Sequence, residues 1–100
     1  MENQDQNPQD LNIELTDDIA SGVFSNLALI NHSSTEFVLD FIQIMPGIPK
    51  AKVKSRIILT PEHAKRLLSA LTDNIQKYEQ QFGNVKDETY HLNFGTKGQA

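Results

Sequence analysis

The side chains of this 100-residue chain that could do chemistry are few and scattered. Its three histidines are His32, His63 and His91; none lies in an HExxH pattern or four positions from another. A metal site would have to gather ligands from distant segments, without the shared face that an i,i+4 pair gives on a helix. Cysteine is absent, which removes a thiol nucleophile, a disulfide frame and every Cys-based zinc site. The five glycines form neither a GxGxxG nor a GxxxxGK pattern, so no phosphate-cradling loop is written in the chain. Asp40, set between Leu39 and Phe41, is the odd carboxylate. It reads as a partner for Lys52, Lys54 or Arg56 on a neighbouring strand, with a general acid of raised pKa as the sharper alternative. These residue types point away from an enzyme, and no catalytic residue, metal ion or cofactor is expected.

Charge is the next signal. Residues 1–22 carry Glu2, Asp5, Asp10, Glu14, Asp17 and Asp18 without a base, so the net −4 of the whole chain divides into a leader at −6 and a body at +2. Within the body, Lys50, Lys52, Lys54 and Arg56 fall in seven positions without an acid. On one face of a strand, Lys52, Lys54 and Arg56 would repeat at about 6.6–6.8 Å, close to a phosphate repeat. That spacing admits a nucleic-acid-associated regulator. Against it stand the acidic isoelectric point and the lack of interleaved aromatic residues to stack on bases. A solvated strand face that discourages edge-to-edge pairing is the plainer reading.

The elements that must position these residues follow from periodicity. Residues 1–10 are almost wholly polar and read as a flexible acidic tail. Leu11, Ile13 and Leu15 alternate as a short strand would, and Ile19-Ala20 admits one helical turn. Strands are expected over 23–32, 36–45 and 52–60, the first two joined by Ser33-Ser34-Thr35 and the last two separated by Pro46-Gly47-Ile48-Pro49. A helix is expected from Pro61 to Phe82. Thr60 is placed to cap it, Pro61 sits at its first position, Glu62 favours its dipole and Gly83 offers its stop. Ala64, Leu67, Leu68, Leu71, Ile75, Tyr78 and Phe82 form its apolar stripe. His63, in the first turn, reads as a neutral surface or capping residue. Residues 84–100 are a polar tail in which 90–94 alternates and reads as a frayed end or an edge strand.

The predicted fold is a single α+β domain over 11–83: a three- or four-stranded antiparallel meander, then one long C-terminal helix packed on one sheet face. Both sheet faces are apolar and one helix covers one of them. The other face, assigned Ala28, Ile30, Val38, Ile42, Ile44 and Ile58, is therefore expected to be an oligomer interface.

The runs Ser25-Asn26-Leu27-Ala28, Glu36-Phe37-Val38-Leu39-Asp40-Phe41, Ser55-Arg56-Ile57-Ile58-Leu59-Thr60-Pro61-Glu62-His63-Ala64-Lys65-Arg66-Leu67-Leu68 and Asn74-Ile75-Gln76-Lys77-Tyr78-Glu79 together resemble a family of small prokaryotic proteins, the domain of unknown function 3467. The resemblance spans about residues 11–82 and brings no activity, cofactor or catalytic residue. It implies that Arg56, Pro61 and His63 belong to a strand-to-helix junction typical of the family. With Thr60 and a carboxylate such as Asp40 or Glu36, that junction is expected to hold the helix start.

The expected function is a non-catalytic, homodimeric or higher-order interaction or scaffold module with a possible protein partner. A regulator using Lys50, Lys52, Lys54 and Arg56 is the alternative, and a small-molecule or peptide sensor between subunits the third reading. No apolar run approaches the roughly 20 residues that span a bilayer, and the first ten residues lack signal-peptide regions, so the expected location is cytoplasmic and away from membranes.

Overall fold

A computed structural model describes residues 11–86. A single helical turn, α1 (Asp17–Ala20), precedes three strands, β1 (Leu27–His32), β2 (Phe37–Gln43) and β3 (Lys52–Leu59), and the long helix α2 (Pro61–Phe82). The strands form one antiparallel sheet in the order β1-β2-β3. The fold is therefore α+β, a three-stranded meander followed by a C-terminal helix. Leu11, Ile13 and Leu15 are exposed and outside any strand. Their alternation suits a strand, but a strand exists only where a neighbour completes its hydrogen bonds, and this segment joins no ladder among the described residues. Residues 90–94 lie outside the described residues.

Each connection has a local cause. In the β1–β2 turn the Ser33 amide donates to the Glu36 carbonyl at 2.9 Å, and the Thr35 amide donates to Ser33 Oγ at 3.2 Å. The rings of His32 and Phe37 stack across this turn with centroids 5.3 Å apart. At the other end of the pair, Asn26 extends the ladder with its side chain. Its Nδ2 donates to the Ile44 carbonyl at 3.0 Å, and the Ile44 amide donates to its Oδ1 at 2.8 Å. A carboxamide carries the same donor and acceptor as a peptide group, so Asn26 adds a rung where the backbone has stopped pairing. Gly47, at φ 79°, takes the left-handed conformation that reverses the chain between the prolines.

The α2 start is built as its residues require. Thr60 has extended backbone angles and its Oγ1 accepts the His63 amide at 3.1 Å, with Pro61 opening the helix. Gly83, at φ 93°, ends it and donates its amide to the Glu79 carbonyl at 3.0 Å. The stripe of α2 faces the sheet only in part. The helix meets the sheet chiefly along β3, next to the junction, and no residue of α2 is buried.

Asn26 gives the first test of this fold. Asn26→Ala deletes two hydrogen bonds at the sheet end and is expected to cost about 1–2 kcal/mol, read as a lower urea midpoint with an unchanged m-value. A midpoint equal to that of the parent would remove the rung from the structure's support.

Candidate functional site

Register decides which side chains share a face. Residues directly opposed across the ladder point the same way, and the pairing sets Ala28, Phe41 and Ser55 in one row, Ile30, Leu39 and Ile57 in the next, and His32, Phe37 and Leu59 in a third. The other face carries Leu27, Ile42 and Val53, then Leu29, Asp40 and Arg56, then Asn31, Val38 and Ile58. The interface set read from the sequence is thereby divided. Ala28 and Ile30 lie on the face of Leu39 and Phe41, whereas Val38, Ile42 and Ile58 lie on the opposite one, with Leu27 and Leu29. Ile44 follows β2 and is held by Asn26. Alternation within β1 is as expected, but the turn shifts its phase against β2 by one residue, which exchanges its faces.

The first face forms one wall of a groove of about 450 Å³. Ala28, Ile30, Phe37, Leu39, Phe41 and Leu59 line it from the sheet, and Ala64, Leu67, Leu68 and Leu71 line it from α2. Every lining residue is apolar. Beyond Leu71 the stripe continues past the groove through Ile75, Tyr78 and Phe82, whose own close partner is a tilted Tyr78–Phe82 ring pair at 4.9 Å. Leu39 and Ile42 are the buried apolar residues of the described chain, while Leu68, Leu71, Tyr78 and Phe82 are all more than half exposed.

The second face is centred on an ion pair. Arg56 Nε donates to Asp40 Oδ1 at 2.6 Å and Arg56 Nη2 donates to Asp40 Oδ2 at 2.8 Å, a two-pronged fork. The Asp40 side chain is 11% exposed and that of Arg56 is 62% exposed, so the carboxylate is enclosed and the guanidinium closes over it from solvent. The hydrogen bonds from Arg56 hold the Asp40 carboxyl below its ordinary range; burial opposes this and the nearby positive charge adds to it. The same bonds, with the carboxylate charge, raise Arg56 further. Asp40 is thus a paired structural anion, not an acid of raised pKa.

Two further sequence readings change here. The ladder shifts between Phe41 and Ile42: Phe41 opposes Ser55, Ile42 opposes Val53, and Lys54 is the extra residue between them. Lys52 consequently shares a row with Gln43, three rows removed from the Asp40–Arg56 row and on the other face. The bulge splits the basic stripe. Arg56 serves Asp40, while Lys50 and Lys52 border a shallow depression with Gln43, Met45 and Ile48. The junction divides as well. Thr60, Pro61 and His63 build the helix start, His63 through its amide, whereas Asp40 and Arg56 sit on the sheet face away from α2.

Among the described residues no three of His, Asp and Glu stand close enough to share a metal ion, and no helix is long and apolar enough to cross a membrane. A family model described as a protein of unknown function, DUF3467, matches residues 1–87, wider than the core of the resemblance. The chain belongs to the DUF3467 family. No curated protein and no solved structure matches it significantly. The residues shared with the DUF3467 resemblance now have physical roles: Asn26 adds the end rung, Asp40 and Arg56 form the fork, and Thr60-Pro61 starts α2. Asn26 was missed as a site residue because its role needs Ile44, 18 positions away. Its position one residue before an apolar run was the only available signal.

Asp40 has a lower pKa folded than unfolded, so its contribution to stability is fully present above the unfolded value, near 3.8, and is lost as pH falls through the folded value. Asp40→Asn is expected to flatten the acid limb of a urea-midpoint profile measured from pH 6 to pH 2, and to lower the midpoint at neutral pH. An acid limb as steep as the parent's would assign acid sensitivity to other carboxylates.

Proposed function

We propose that this DUF3467 protein is a non-catalytic interaction module that works as a homo-oligomer, with a second surface left for a protein of different sequence. The observation that carries this reading is the groove between the sheet and α2. It is apolar on both walls and continuous with a helix stripe that the described residues leave uncovered. Contiguous apolar surface of this kind marks an interaction site, and water is a poor permanent occupant because the walls offer it no hydrogen-bond partners.

Self-association supplies what the single chain lacks. Two buried apolar residues are a small core for a 76-residue described segment, and small domains stand close to the limit of stability even with full cores. The face around Asp40–Arg56 is different in kind. Its apolar rim of Leu29, Val38, Ile42 and Ile58 surrounds an ion pair whose charges satisfy each other, and an apolar ring of this kind suits the apolar centre of a protein interface. That combination supports a scaffold role better than a polyanion site, since Arg56 is already engaged and the lysines do not share its row.

Sedimentation equilibrium of the purified chain at tens of micromolar is expected to give a dimer or larger species. Leu68→Glu is expected to shift it to monomer, because the glutamate would bury a charge in the groove of the assembly while costing little in a single chain where Leu68 is 64% exposed. A parent that sediments as a monomer contradicts the proposal. Salt-dependent binding to DNA or RNA that is lost on neutralising Lys50, Lys52 and Lys54 would replace it with the regulator reading.

A further inference from the structure

We infer that the groove is filled by α2 of a second copy, lying antiparallel to the resident α2. This rests on the self-association proposed above and adds which element docks, where, and in which direction. The stripe itself gives the first ground. About a centre at Asp73 six of its seven apolar positions mirror one another, Ala64 with Phe82, Leu68 with Tyr78 and Leu71 with Ile75, while Leu67 mirrors Glu79. A two-fold axis near that point therefore sets these six positions against one another across two antiparallel helices, the smallest facing one of the largest.

Charge fixes the direction. Within α2, Glu62 pairs with Arg66 at 2.6 Å and Asp73 pairs with Lys77 at 3.3 Å. The charged side chains of the helix outside these pairs are Lys65 and Glu79; Glu79 Oε2 accepts the Val85 amide at 2.9 Å, and its other oxygen can accept a further donor. At 100° per residue, Glu79 lies about 60° and Lys65 about 100° from the centre of the stripe, on the same flank. Antiparallel pairing brings like flanks together, so Lys65 of one copy approaches Glu79 of the partner subunit, and symmetry makes the contact twice. Parallel pairing would hold the two on opposite sides of the seam.

Area and reach agree with this. Leu67, Leu68, Leu71, Ile75, Tyr78 and Phe82 are between 40% and 65% exposed. At roughly 200 Å² for a large side chain, that leaves about 600 Å² of helix surface per copy. Two copies then supply about 1,200 Å², the lower bound of a standard stable interface, before Ile30 and Ile57 of the sheet wall are added. The proximal half of α2, through Leu71, lines its own groove, and the distal half runs past it. Exchange gives each distal half a sheet, which the described residues of its own chain do not provide.

The absence of cysteine makes the test direct, since any introduced thiol is unique. Lys65→Cys and Glu79→Cys chains are unfolded and refolded as a mixture, then treated with a short bis-maleimide. Thr72→Cys, close to the two-fold axis on the same flank, is treated alone. Lys65 and Thr72 are exposed and Glu79 is half-buried, and circular dichroism verifies folding of all three variants. The expected result is cross-linked dimer in the mixture, an order of magnitude above either chain alone, together with self-cross-linking of the Thr72→Cys chain. Cross-linking of the Lys65→Cys chain with itself, without the mixed product, would indicate parallel helices and overturn the inference. A sedimenting dimer that cross-links in neither experiment would overturn the helix placement while leaving self-association intact. A monomer would remove both.

Discussion

A three-stranded sheet presents two faces, and the described residues make one long helix to cover them. The rest of the structure depends on that shortage. β2 is the strand paired on both edges, and it supplies Leu39, Asp40 and Ile42, the buried residues of the described chain. Leu39 looks toward α2, while Asp40 and Ile42 look away from it. The two faces solve the same problem differently. One leaves an apolar groove under a helix that touches mainly its own junction. The other places a forked ion pair at its centre, so that a carboxylate on a mostly apolar surface is satisfied by a neighbouring strand.

The fork also constrains what can be packed there. Removing Arg56 leaves the enclosed Asp40 carboxylate without its partner, so Asp40 and Arg56 act together and neither is free for another task. Lys is a poor substitute for Arg56, because a single ammonium cannot meet both carboxylate oxygens in one plane. The pair therefore fixes β2 against β3 on the side of the bulge nearer the β1–β2 turn. Beyond Phe41 the register shifts, and the lysines of β3 follow a different row.

Much of the fold was legible in the sequence because its signals are local. Thr60, Pro61 and Gly83 each act within a few residues, so the ends of α2 could be read directly. Alternation and the Pro46–Pro49 breaker likewise marked β2 and β3 within a few residues of their ends. Faces were less legible, for a physical reason. A side-chain period of two makes every assignment hostage to one residue of register, and register is set by the turn at Ser33–Glu36 and by the extra residue Lys54. Alternation alone therefore put Ala28 and Ile30 with Val38, and it aligned Lys52 with Arg56. The pairing of Asp40 with a basic residue of β3 was foreseeable, since the chain offers three candidates there. That Arg56 takes it depends on which of them stands directly opposite.

The central claim is that the chain completes its core with a second copy, and mass action gives it a direct measure. Folding that is coupled to dimer formation becomes more favourable as protein concentration rises, whereas the unfolding of an independent monomer does not depend on concentration. Urea unfolding of the full chain, followed by circular dichroism across a hundred-fold range of protein concentration, should show a midpoint that rises steadily with concentration and a transition that loses α2 and the sheet together. A midpoint that stays fixed over that range, with the helix signal intact at the lowest concentration, would contradict the account.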